Sequence, residues 1–306
     1  RMRLAQGSDM RSAIGFRMGD RAANLPEVIE AIITLSINVW QDKRSVQCEL
    51  RQMQAYMPGK AFIAECQRQS EKISNAMLST LCLPDQKAEN IERMTLEQAK
   101  TVLASEFEKG YQGILIGVHT LAALKLLNVH LAVMHAQLDY VLEKTEDIRG
   151  FNTLVMVPDW ANIAFSPRLI VAMDGMLSDG ERVLVKEKFP KARVIEVTDM
   201  RTQSSSAACR LLPDDSSLRQ LYKALRQREK TDCTMNVLSA ATGLEEDMIR
   251  CGMRIMQQLG LIEYTLYPLS FKVLPSGKVS LEDSSLRAKL IRMKDEGGNR
   301  FDAGRM

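Results

Sequence analysis

The chain reads as a multidomain α/β protein. A partial β-barrel segment is expected at residues 1–56 and an α/β layered domain with a mostly parallel sheet at 57–200. A linker at 201–217 then leads to a small helical unit closed by a hairpin at 218–293, and 294–306 is expected to be a flexible tail. Three observations predict this order. In residues 33–50, Ile33, Leu35 and Ile37 alternate with Thr34, Ser36 and Asn38, and Val46, Cys48 and Leu50 alternate with Ser45, Gln47 and Glu49. Such alternation across a polar turn at 41–44 is a β-hairpin with one apolar face, expected to be buried, and one polar face. Second, short apolar runs at 113–118, 129–134, 153–157, 169–172 and 193–197 are separated by helical stretches at 96–109, 121–127 and 137–143. Continuous β-branched runs spaced by helices predict a parallel sheet covered on both faces. Third, the polar clusters Thr202-Gln203-Ser204-Ser205-Ser206 and Pro213-Asp214-Asp215-Ser216-Ser217 predict a loop-rich connection.

The first segment holds the chemistry. It contains Ala13-Ile14-Gly15-Phe16-Arg17-Met18-Gly19-Asp20, and later Asn38-Val39-Trp40, the turn Gln41-Asp42-Lys43-Arg44 and Ser45-Val46-Gln47-Cys48-Glu49-Leu50. Single-strand binding by a small barrel needs rings that stack on bases and cations that neutralise the backbone. Phe16, Arg17, Trp40, Lys43 and Arg44 supply both, and they are the candidate nucleic-acid-binding residues. The competing roles are barrel packing for Phe16, packing against a neighbouring unit for Trp40, and a solvated loop for the basic pair.

This ordered set of a GF-x-MGD turn, an N-x-W corner, a basic turn and S-V-Q-x-E-L resembles the OB-fold domain of RecJ, the bacterial single-strand-specific DNA exonuclease. Two positions depart from the pattern. Arg17 and Asp42 stand where the two turns often carry glycine. The resemblance implies a partial OB fold, truncated at its amino terminus, because Met2-Arg3-Leu4-Ala5 is similar to the middle of that domain. In RecJ, catalytic domains with an Asp-His-His motif precede it and hold manganese. The resemblance therefore implies the carboxy-terminal, non-catalytic part of a 5′-3′ single-stranded DNA exonuclease acting in recombination and repair. It implies manganese or magnesium for the missing catalytic domains and no cofactor in this chain. Single-stranded DNA is the implied partner, with single-stranded-DNA-binding protein a second one.

Residues 61–81 read as one helix with Phe62, Cys66, Ile73, Met77 and Leu81 on one face. The following α/β pattern is similar to a helicase-type RecA lobe, yet no phosphate-binding loop is present. Gly59-Lys60-Ala61 lacks the earlier glycine and the Ser or Thr that binds magnesium. No catalytic residue and no metal site is expected. His119, His130 and His135 are read as structural or surface residues, with His130 in a strand. A single His135–Asp139 pair is too few ligands for a metal.

In the last unit one helix ends near Arg228, a second is stopped by Gly243, and a third runs from 245 to 259 and is stopped by Gly260. Strands at 261–264 and 271–274 complete a winged-helix-like pattern. Arg250, Arg254 and Gln257 share one face of the third helix and form a candidate partner or DNA face. That helix opens with Glu245-Glu246-Asp247, so packing against protein is favoured over reading duplex DNA. Val279-Ser280-Leu281-Glu282-Asp283-Ser284 and a helix at 285–293 resemble the end of the RecJ carboxy-terminal extension.

Bulk charge does not decide the partner, since 41 basic residues nearly balance 38 acidic ones. Nucleic-acid affinity then has to come from local clustering. The six cysteines show no CxxC spacing, which points to reduced thiols and a cytoplasmic setting. No apolar run reaches the ~18 residues of a membrane span. A free-standing winged-helix adaptor or regulator without nuclease activity is the alternative function.

Overall fold

The computed structural model describes residues 2–6, 9–19, 29–55, 58–86, 91–109, 113–130, 138–143, 152–228 and 233–303. The first sheet contains β1 (Met2–Gln6), β2 (Asp9–Gly15), β3 (Ile29–Trp40) and β4 (Lys43–Ala55). Its order is β1-β2-β4-β3. β3 and β4 form a long antiparallel hairpin, whereas β2 runs parallel to β4. In this pairing Ala13 lies beside Cys48, Ile14 beside Glu49 and Gly15 beside Leu50.

That short contact covers the middle of β4 but leaves the outer strand β3 uncovered, even where Ile33 and Leu35 pair with Leu50 and Cys48. Ala13, Cys48 and Leu50 are buried, but Ile33, Leu35, Ile37, Val39 and Val46 are exposed, Ile37 and Val46 at 69% and 70%. The alternation is as expected, while the burial of the whole apolar face is not. From Gln47 toward its tip the hairpin is, among the described residues, a two-stranded ribbon without a third strand.

The second sheet is entirely parallel. Its strands are β5 (Glu92–Met94), β6 (Ile114–Val118), β7 (Asp139–Leu142), β8 (Thr153–Met156), β9 (Leu169–Ala172) and β10 (Arg193–Val197), in the order β5-β10-β9-β6-β8-β7. Alternate residues of each strand enter different cores. Ile114, Ile116, Leu169 and Val171 join one cluster, and Leu115, Ile170, Ala172 and Val194 join the other. Both faces are covered, which is why these strands read as continuous apolar runs.

Around the sheet lie α1 (Pro58–Arg68), α2 (Ser70–Leu81), α3 (Leu96–Glu108), α4 (Leu121–His130) and α5 (Asp179–Lys188). The helix expected over 61–81 is two helices, broken at Gln69, whose backbone leaves the helical region at φ −102° and ψ 29°. The stretch expected as helical at 137–143 is strand β7, which pairs with β8. The strand expected at 129–134 is not formed at its start, because α4 continues through His130. Residues 131–137, with His135, lie outside the described residues.

The segment read as a linker begins with a helix, α6 (Arg201–Arg210). One of its serines packs against the sheet domain. Ser204 is buried, and its Oγ donates to the Asp174 carbonyl at 2.6 Å. α7 (Asp215–Arg228), α8 (Met235–Thr242) and α9 (Glu246–Gln258) follow, then the hairpin of β11 (Ile262–Leu266) and β12 (Leu269–Val273). Gly243 and Gly260 end α8 and α9 with φ of 70° and 67°, a backbone that favours glycine. α10 (Ser285–Ala303) runs ten residues beyond the expected end at 293, through Gly297 and Gly298. One hydrophobic cluster joins the sheet layer to these helices, from Cys66 to Met293. Among the described residues, no helix is long and apolar enough to cross a membrane.

Candidate nucleic-acid interface

Period-2 geometry sorts the amino-terminal sheet into two faces. Lys43, Ser45, Gln47, Glu49 and Arg51 alternate along one face of β4. Across from them in register are Asn38 beside Ser45, Ser36 beside Gln47 and Thr34 beside Glu49. Ser12 and its β1 partner Arg3 extend this face by alternation. It is mostly polar along the hairpin, with Ile14 of β2 beside Glu49, and it is exposed or half-exposed throughout. Arg51 ties it together: its Nε donates to Thr34 Oγ1 at 3.0 Å and its guanidinium pairs with Glu49 at 2.8 Å.

The predicted residues fall in two places. Lys43 and Arg44 are exposed at the hairpin tip, and Trp40 pairs with Lys43 across the turn. Arg44 pairs with Val39, so the two cations of the basic pair lie on opposite faces of the ribbon. Phe16 and Arg17 follow β2, level with Arg51, and Phe16 is 61% exposed. Eight residues of β4 separate that level from Lys43, or about 25 Å at the usual strand rise. A single strand lying along the polar face would meet both groups. Arg3 and Arg51 were missed in the sequence, although Arg51 continues the i, i+2 series that starts at Lys43.

The two glycine-substituted turn positions have a shared backbone signature. Arg17 has φ 58° and Asp42 φ 59°, and Gln41 beside Asp42 has φ 48°. Successive left-handed residues are what a tight two-residue hairpin turn needs.

The other predicted face is placed differently. Arg250 is 3% exposed, and its guanidinium pairs with Glu71, Glu246 and Asp247 at 2.7 to 2.8 Å. Asp247 also accepts from Ser74 of α2 at 2.8 Å. Arg254 reaches Ser79 of α2 at 3.4 Å, and only Gln257 of the three is fully exposed. This side of α9 packs largely on α2.

At the parallel sheet, the chain leaves β6 toward β7 and leaves β9 toward β10. The boundary between β6 and β9 is therefore the point where open α/β sheets bind ligands. Here it is filled by protein. Asp174 accepts from the backbone of His119 and Thr120 at 3.0 and 2.9 Å, and from Thr120 Oγ1 at 3.0 Å. Its carboxylate takes the anion position at the start of α4. His119 is buried between two carboxylates, with Nδ1 3.1 Å from Asp174 and Nε2 2.8 Å from Glu181. Burial pushes His119 down, but the Glu181 charge and the hydrogen bonds to both carboxylates outweigh it and hold the imidazolium at about 10. Burial likewise pushes Glu181 up. The His119 charge and donations from His119, Trp160 Nε1 and the Leu177 backbone carry it below the usual carboxylate range. All six cysteines are free. Among the described residues, no group of three or more His, Cys, Asp or Glu is placed to hold a metal ion.

Residues 1–52 match the family model for the RecJ OB domain. The amino-terminal segment is similar to the RecJ OB domain. The match includes both turn motifs and stops before α1. Searches of curated proteins and of solved structures each return no significant match.

Proposed function

We propose that this chain is the non-catalytic part of a RecJ-like 5′-3′ single-stranded DNA exonuclease, a hydrolase of DNA recombination and repair. Its OB domain guides the strand. The observation that carries the reading is the coincidence of the RecJ OB match with an exposed polar sheet face bounded by Lys43 at one end and Phe16 and Arg17 at the other. Length supports it too. About 25 Å of strand is enough for several nucleotides, within the usual span of one OB fold.

We read α7 to α9 and the β11–β12 hairpin as a winged-helix-type unit used for docking, with single-stranded-DNA-binding protein as its partner. The burial of Arg250 against α2 supports docking over duplex reading, because a helix that enters a groove must present its basic side.

The test is fluorescence anisotropy of a labelled oligothymidylate on the full chain across a salt series. Each backbone cation of a single-strand site contributes roughly 0.7 to the slope of log affinity against log salt. The Lys43→Ala/Arg44→Ala chain, shown to be folded by circular dichroism, is expected to lose about 1 from that slope. An unchanged slope and affinity would remove the hairpin tip from the site.

A further inference from the structure

α7 carries a second basic surface, and its chemistry is independent of the OB domain. The helix buries Leu218, Leu221, Ala224 and Leu225. Its outer side presents Arg219, Tyr222, Lys223, Arg226 and Gln227, which follow one another at helical spacing and line a shallow concavity of about 350 Å³. Arg219, Lys223 and Arg226 are exposed. Tyr222 is half-buried against the core.

Surface cations are usually answered by neighbouring carboxylates. Among the described residues, no ion pair engages Arg219, Lys223 or Arg226. Asp215 is the sole carboxylate of α7 and is held by Arg287 at 2.7 Å. The adjacent α8 has the sequence MNVLSAAT and brings no acid. Glu246 and Asp247 of α9 are committed to Arg250. The helix dipole favours Arg226 in the last turn, but it disfavours Arg219 near the first. Folding therefore gains little from Arg219 and Lys223 where they stand.

We propose that this face of α7 binds the phosphodiester backbone of single-stranded nucleic acid. From Arg219 to Arg226 the helix rises about 10 Å, so the three cations form a row rather than a single-ion pocket. A row of cations without a partner among the described residues fits a repeating anion. An acidic peptide with an apolar end would need an aliphatic pocket beside the charge, and the concavity has none among its lining residues.

The experiment uses the full chain and a labelled oligothymidylate across a salt series, with Arg219→Ala/Lys223→Ala/Arg226→Ala compared with Lys43→Ala/Arg44→Ala. All three α7 positions are exposed, so the triple variant is expected to fold, and circular dichroism checks it. The α7 variant should lose about 2 from the salt slope, at roughly 0.7 per cation. If the α7 variant lowers the slope and the hairpin variant does not, the α7 surface stands while the OB reading falls. A folded α7 variant with an unchanged slope overturns the α7 proposal whatever the hairpin variant does. A polyglutamate peptide is the control. If it binds as tightly as the oligonucleotide and loses as much affinity in the α7 variant, the nucleic-acid assignment is overturned in favour of an acidic protein partner.

Discussion

His119 Nε2 stands 2.8 Å from Glu181 Oε1, with both side chains fully buried. Asp174 holds the other ring nitrogen, so each N–H of the imidazolium meets a carboxylate. Removing the ring would leave two carboxylates buried without their cation. Breaking one side of a buried charge network costs about 3–5 kcal/mol. His119→Ala is therefore expected to lower the urea midpoint strongly, measured by circular dichroism. A loss of under about 1 kcal/mol would show that the network does not hold the sheet.

The same pair sets a pH window. His119 has its pKa raised from 6.5, so its contribution is complete below pH 6.5 and is lost as pH rises through about 10. Glu181 has its pKa lowered from 4.5, so its contribution is complete above pH 4.5 and is lost as pH falls. The stability difference between the natural chain and His119→Gln should be largest between these two reference values and should shrink toward pH 10. Urea titrations across that range read it directly, and a difference that grows with pH would contradict a charged His119.

Gly117 lies under the Trp160 ring. A Cβ there would stand 2.9 Å from the ring's Cη2 and 3.0 Å from its Cζ2. The same ring donates Nε1 to Glu181 at 2.7 Å. Gly117→Ala should cost about 1–3 kcal/mol by overpacking. It should also blue- or red-shift tryptophan fluorescence as the ring moves.

Arg17 and Asp42 hold left-handed backbones that glycine adopts freely. Arg17→Gly and Asp42→Gly should each stabilise the amino-terminal sheet by about 0.5–1 kcal/mol, less at Asp42 because Asp tolerates this region better. Thermal denaturation followed in the far ultraviolet measures it. A loss of stability at both sites would mean the side chains make contacts that outweigh backbone strain.

Lys43 and Arg44 are neighbours in sequence but occupy opposite faces of the ribbon. Single substitutions should therefore separate. Lys43→Ala is expected to weaken oligothymidylate binding about two- to fivefold at low salt, and Arg44→Ala distinctly less, since exposed backbone contacts are individually small. Equal effects from the two would place the strand around the hairpin tip rather than along one face.

The sequence by itself determined most of the strands, most of the helices and the likeness of the first segment to the RecJ OB domain. Period-2 alternation at 33–50 and continuous apolar runs such as Leu169–Ala172 are local signals, and local backbone preference is enough to realise them. The motifs around Gly15 and Trp40 carried the RecJ resemblance for the same reason, since they specify turns within a few residues. Tertiary structure decided what covers each face. Ile37 and Val46 have the pattern of a buried strand face yet are exposed, because β2 pairs with β4 only around residues 48–50. The serines of α6 read as a loop, but Ser204 finds the Asp174 carbonyl and the helix packs. His119 looked like one lone histidine because its partners lie 55 and 62 residues away, and only the parallel pairing of β6 with β9 and the packing of α5 bring three buried charges together. Charges separated by that much chain leave no periodicity to read, and their energy exists only once water has been excluded from between them.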